Sequence, residues 1–111
     1  MARILLVDDG QDYLQVIVRS LNIQRHHVVL ADRGTAVAEI GRVSSELFDV
    51  VVLDISKDTE ADWLLLSHFR VVTTMNQFPT EIVAFSCINR GPQMRLRAAR
   101  LGAHFVFTSL E

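Results

Sequence analysis

Ile4-Leu5-Leu6-Val7-Asp8-Asp9 sets four apolar residues directly against two carboxylates. The run reads as a buried strand that ends in acid. The form recurs twice downstream. Val50-Val51-Val52-Leu53 runs into Asp54, and Ile82-Val83-Ala84-Phe85 runs into Ser86. His27 to Ala31, rich in β-branched valine, and Phe105 to Phe107 complete a set of five short strand candidates.

Amphipathic segments separate these runs. Leu14, Ile17, Val18 and Leu21 stand at i, i+3, i+4 and i+7, one face of a helix. Thr35 is positioned to cap a second helix with Ala36, Ile40 and Val43 on one side. A third is expected from near Asp62 to Arg70, with Leu65, Leu66 and Phe69 facing inward and Trp63 packing at its start. Gly91-Pro92 opens a fourth, because proline suits a first helical position. Met94, Ala98 and Leu101 form its apolar stripe, and Gly102 is placed to end it in a left-handed cap. Continuous apolar strands alternating with such helices predict an α/β domain with a parallel sheet covered on both faces.

The 111 residues suffice for one domain spanning 1–111 and not for two. Half are apolar and 22% are charged, a balance that supports a core and argues against disorder. Eleven basic against thirteen acidic residues leave a net charge of −2, with no general attraction to nucleic acid or anionic membrane. No segment resembles a signal peptide or a membrane span. The single cysteine, Cys87, permits no internal disulfide and no thiolate zinc site, and fits a cytoplasmic setting.

In open parallel sheets, ligands gather beyond the carboxyl ends of the strands. Asp8 and Asp9, Asp54, and Ser86 come from three strands and each stands at that end. Any one of them alone is unremarkable, as a turn, a helix cap or a solvated side chain. Together they describe a pocket of three carboxylates and a hydroxyl. Clustered carboxylates repel, and a bound cation relieves the repulsion. Hard oxygen donors without thiolate or imidazole favour Mg2+. A carboxylate beside magnesium can attack a phosphoryl group, and a nearby hydroxyl can bond its oxygens. No Gly-x-Gly-x-x-Gly or P-loop sequence follows the first strand, which speaks against a nucleotide site.

Taken in order, these stretches resemble the receiver domains of two-component response regulators. Ile4 to Asp9 is similar to their first strand and acidic pair, Val50 to Asp54 to the acceptor strand, and Ile82 to Ser86 to the strand ending in a switch Ser or Thr. Ala98-Ala99-Arg100-Leu101-Gly102-Ala103 is similar to the turn before their last strand. The resemblance covers nearly the whole chain. It implies a doubly wound, flavodoxin-like five-stranded parallel sheet of strand order 2-1-3-4-5. It further implies that Asp54 accepts phosphoryl from a histidine kinase or phosphotransfer protein in a phosphorelay. Asp9 would bind magnesium directly, Asp8 through water, and Ser56 through its backbone carbonyl. Ser86 would swing toward the phosphoryl group, and the surface of the fourth helix and fifth strand would meet an output partner or a second copy.

The chain also departs from that pattern. Ser109-Leu110 stands where the family has lysine and proline, and Val106 takes its aromatic switch position. The loop after Asp54 reads Ile55-Ser56-Lys57-Asp58-Thr59-Glu60-Ala61-Asp62-Trp63, without the usual Met-Pro and Asp-Gly. The sequence ends where the family's fifth helix, the C-terminal helix, begins, so that helix is expected to be missing and Phe105 to Phe107 partly uncovered. Lys57 and Arg90 are the candidate sources of the lost positive charge, although solvated loop cations are the commoner case. His26-His27 reads as an ordinary turn, and His104 has no evident partner. Arg90, Arg95, Arg97 and Arg100 read as a solvated basic face. Two functions remain in play. One is a phosphoacceptor signalling module rather than an enzyme. The alternative is a pseudo-receiver that binds partners without a phosphorylation switch. A magnesium-dependent phosphohydrolase ranks below both, lacking an evident general acid or base.

Overall fold

The computed structural model describes residues 2–8, 19, 22–40, 48–86 and 91–108. Among the described residues, five strands and three helices have defined bounds, in the order β1 (Arg3–Val7), β2 (His27–Ala31), α1 (Arg33–Ile40), β3 (Val50–Asp54), α2 (Glu60–Met75), β4 (Glu81–Ser86), α3 (Pro92–Leu101) and β5 (Phe105–Thr108). All strand pairs are parallel, and the order is β2-β1-β3-β4-β5, as the resemblance implied. Among the described residues no helix follows β5. Of the expected helix at Leu14 to Leu21, Arg19 is described and is helical; Leu14, Ile17, Val18 and Leu21, with Val43, lie outside the described residues.

Successive strand residues face opposite sides of a sheet. One side carries Leu5, Val7, Val51, Leu53, Ile82 and Ala84, all buried. They form one core with Ala36 and Ile40 of α1, Trp63, Leu65, Leu66 and Phe69 of α2, and Met94 and Ala98 of α3. The other side is buried at Ile4 and Leu6 in β1, and half-buried at Val50, Val52, Val83 and Phe85. It is open at the edge, where Phe105 and Phe107 are 53% and 57% exposed. Partial uncovering of the last strand was expected from the sequence.

The helix termini have local causes. Asp32, not Thr35, caps α1. Its Oδ1 accepts the Thr35 N–H at 2.8 Å, so Thr35 falls inside the first turn. α2 is longer than its apolar periodicity suggested, at 16 residues. It starts earlier because Thr59 and Asp62 form a reciprocal capping box. It runs on through Val71-Val72-Thr73-Thr74 although β-branched residues are indifferent helix formers. There Thr73 is buried, its hydroxyl donates to the Phe69 carbonyl at 2.9 Å, and Val72 packs on the core. Gly91 and Pro92 open α3 as expected. Gly102 closes it at φ 119°, a conformation that disfavours any residue with a Cβ.

Candidate functional site

The parallel register determines which side chains meet at the carboxyl end. Val7 pairs with Ala31 on one side and Leu53 on the other. Asp8 and Asp54 are therefore the next residues on adjacent central strands. The Asp8 N–H donates to the Ala31 carbonyl at 3.0 Å, extending the β1–β2 ladder by one residue. Asp8 is 5% exposed, and Asp54 is half-buried. Both line a small cleft together with Val7, Leu53, Lys57 and Arg33.

The loop after Asp54 is ordered by its own polar groups. Ser56 turns back on Asp54, donating to Oδ1 from its N–H at 2.9 Å and from its hydroxyl. This orients the Asp54 carboxylate, a part for Ser56 that sequence reasoning missed. A serine two residues after an aspartate is the available signal, since such short-range bonds are common in turns. Ile55 is fully buried, and Asp58 adopts φ 53°, a left-handed conformation that aspartate tolerates better than most residues. The Asp58 carboxylate accepts the Trp63 indole N–H at 2.8 Å. Trp63 in turn lies under the Arg97 guanidinium, 4.5 Å from the ring centroid.

The expected residues are only partly brought together. Asp8 and Asp54 share the cleft, and Lys57 joins them there. Asp9, Arg90, Cys87 and Ser109 lie outside the described residues. Ser86 ends β4 but is not among the residues lining the cleft. Asp54 pairs in register with Phe85, so Ser86 is one step further on. It alternates with Ile82 and Ala84 onto the helix-covered face and is fully buried.

Arg33 was not singled out from the sequence, yet it lines the cleft. Its Nε donates to Asp62 Oδ1 at 2.7 Å, and its Nη2 reaches the same oxygen. Asp62 is fully buried, and its other oxygen accepts the Thr59 N–H of the capping box at 3.4 Å. The signal that could have found Arg33 is topological. It follows β2 by two residues, and β2 lies beside β1, so it starts at the same sheet edge as Asp8.

Magnesium, implied by the resemblance, meets a suitable donor chemistry here. Asp8 and Asp54 offer hard carboxylate oxygens, and among the described residues neither thiolate nor imidazole lines the cleft. Among the described residues no group of three acidic, histidine or cysteine side chains is gathered closely enough to hold a metal, Asp9 being outside them.

Other sequence readings are settled by local contacts. His26 Nδ1 accepts the Ala2 N–H at 3.0 Å, which ties down the turn before β2. His104 does have partners: the Ile82 N–H donates to Nδ1 at 3.0 Å and Arg70 Nη1 lies 3.0 Å from Nε2. The arginines of α3 are not all solvated. Arg95 donates to the Val106 carbonyl and the Thr108 hydroxyl, both at 3.1 Å, and so latches α3 to β5.

Comparison with known structures bears on this arrangement. The chain superposes on a Burkholderia pseudomallei response regulator, solved with a phosphorylated aspartic acid, calcium and citrate, with TM-score 0.79 at 15% identity. That match covers 100% of this chain and 61% of the other, so the chain spans under two thirds of that protein. It matches the Vibrio cholerae chemotaxis protein CheY4 with TM-score 0.78 at 21% identity, over 97% of this chain and 86% of that one. A two-component response regulator from Clostridium difficile matches with TM-score 0.75 at 26% identity, over 96% and 81%. This chain has the receiver-domain fold. No family model matches the sequence, and neither does any curated protein. The receiver fold is thus carried by tertiary structure on a divergent sequence. No helix among the described residues of the receiver is long and apolar enough to cross a membrane.

Proposed function

We propose that this receiver is a signalling module that accepts a phosphoryl group on Asp54, rather than an enzyme that turns over substrate. The observation that carries the reading is the pairing of half-buried Asp54 with buried Asp8 at the ends of adjacent central strands, in a cleft that also holds two cations. In the step, an Asp54 carboxylate oxygen attacks the phosphorus of a donor phosphate. The new O–P bond forms as the donor's P–O or P–N bond breaks, and the leaving group departs with the electron pair. Asp8, Asp9, Asp54 and the Ser56 carbonyl would hold magnesium, which when bound neutralises charge on the phosphoryl oxygens. Ser56 keeps the Asp54 carboxylate oriented through the bonds it donates to Oδ1. Ser86 would have to turn from its buried position to reach the phosphoryl group. The donor would be a histidine kinase or phosphotransfer protein. The α3–β5 surface, with Phe105 and Phe107 exposed, would meet the output partner or a second copy in a cytoplasmic setting.

A second reading, a binding module without a phosphorylation switch, draws on Val106. It is half-buried against the core and has no ring to rotate. One experiment separates the two. Intact mass is measured after treatment with acetyl phosphate and magnesium, with an Asp54→Asn control. Gain of one phosphoryl group in the wild type alone supports the acceptor reading; no gain leaves the binding module.

A further inference from the structure

We propose that Arg33 contacts the phosphoryl group at Asp54 and supplies the fixed positive charge that receivers ordinarily take from a lysine after the last strand. This rests on the acceptor reading above and adds a named residue to it. Ser109, which stands at the lysine's place in the sequence, has no charge to offer. The cleft is nevertheless lined by two cations, Arg33 and Lys57, together with the carboxylates Asp8 and Asp54.

The two cations are held differently. Lys57 is an exposed residue of a turn. Arg33 is 32% exposed and pinned from behind. Its Nε and Nη2 both grip one oxygen of Asp62, a fully buried carboxylate whose other oxygen is engaged by the Thr59 N–H. A guanidinium is one rigid plane, and two of its N–H donors here are bonded to Asp62. The clamp fixes that plane at the wall of the cleft before any ligand arrives. Preorganised charge of this kind stabilises a developing anion without reorganisation at the moment of reaction.

The placement makes two predictions of opposite sign. Arg33 should favour the phosphoryl anion and disfavour a magnesium ion in the same cleft, because like charges repel. Trp63 is the chain's single tryptophan, and its indole is bonded to the loop that follows Asp54, so its fluorescence is the signal to monitor as magnesium is added. Magnesium is titrated this way in the wild type, Arg33→Gln and Arg33→Lys. Labelling of Asp54 by acetyl phosphate is then timed by intact mass at saturating magnesium. In Arg33→Gln the labelling should slow by about tenfold or more while magnesium binds several-fold more tightly, on the order expected for removing one preorganised cation. Arg33→Lys should keep the wild-type magnesium affinity and recover part of the labelling rate.

Arg33→Gln leaves Asp62 buried without its cation. Should that variant not fold, Arg33→Gln with Asp62→Asn removes both charges together and carries the labelling comparison. Unchanged labelling in a folded variant overturns the role of Arg33 and leaves the acceptor reading standing. Labelling and magnesium affinity falling together also overturn it, because that is the mark of a purely structural residue. A wild type that takes no phosphoryl group overturns the acceptor reading and this inference with it.

Discussion

The two faces of the sheet are built from the same alternating strands and end up differently. The helix-covered face is closed from Leu5 across to Ala84, and Phe69 of α2 is fully buried against it. On the other face, burial declines from Ile4 and Leu6 in the central strand to Phe105 and Phe107 at the edge. The first face therefore holds most of the buried core, and the second is open at its β5 edge. The acid cleft belongs to neither face. It sits at the strand ends, where the register of β1, β2 and β3 brings Asp8, Asp54 and the root of Arg33 side by side.

The sharpest way to break this contrast is to truncate one phenylalanine on each face. Phe69→Ala should cost about 3–5 kcal/mol, the usual loss for an emptied aromatic site in a core. Phe107→Ser should cost about 1 kcal/mol or less, in the range of partly exposed positions. Urea unfolding of both variants gives the comparison directly. Equal losses would mean that the edge strand is packed as tightly as the core.

A smaller effect is expected at the turn that feeds the edge strand. A Cβ at Gly102 would stand 2.5 Å from Arg70 Cβ and Cγ, and the backbone there has φ 119°. Gly102→Ala should cost about 1–2 kcal/mol from the backbone alone, with more from displacing Arg70. Thermal melts read the loss. Hydrogen exchange should show it concentrated in α3 and β5 and absent from β1 to β3.

The smallest effect belongs to the cleft end of the molecule. The Thr35 N–H and then the Thr35 hydroxyl hold the Asp32 carboxyl below its ordinary pKa; desolvation opposes them, and the Gly34 N–H adds a lesser lowering. A carboxyl depressed on folding contributes stability above its unfolded pKa and loses it as pH falls through the folded one. Acid titration followed by circular dichroism should therefore show α1 weakening on the acid side of the normal aspartate range. Asp32→Asn keeps an acceptor for the Thr35 N–H but has no charge to lose, so its contribution should be flat across the same window.

Much of the fold was legible because strands buried in a parallel sheet must be apolar runs, and their ends must be polar. That rule locates all five strands, Asp8 and Asp54 within a residue or two, and the glycine signal for a left-handed cap locates Gly102. Helix lengths were less legible. Asp62 was read as the start of α2, whereas it is the buried partner in a capping box that begins at Thr59. The β-branched run after Arg70 hid the helix's last turns, because packing there outweighs propensity.

The sequence by itself determined the alternation of strands and helices and the acidic residue at the end of each central strand, since both follow from local periodicity. Only the tertiary structure decided what stands beside those acids. Arg33 is 21 residues from Asp54 in the chain and 29 from Asp62. No local pattern can show such a meeting. It exists because strand order places β2 next to β1 and α2 beneath α1, and because a buried carboxylate requires a cation within reach.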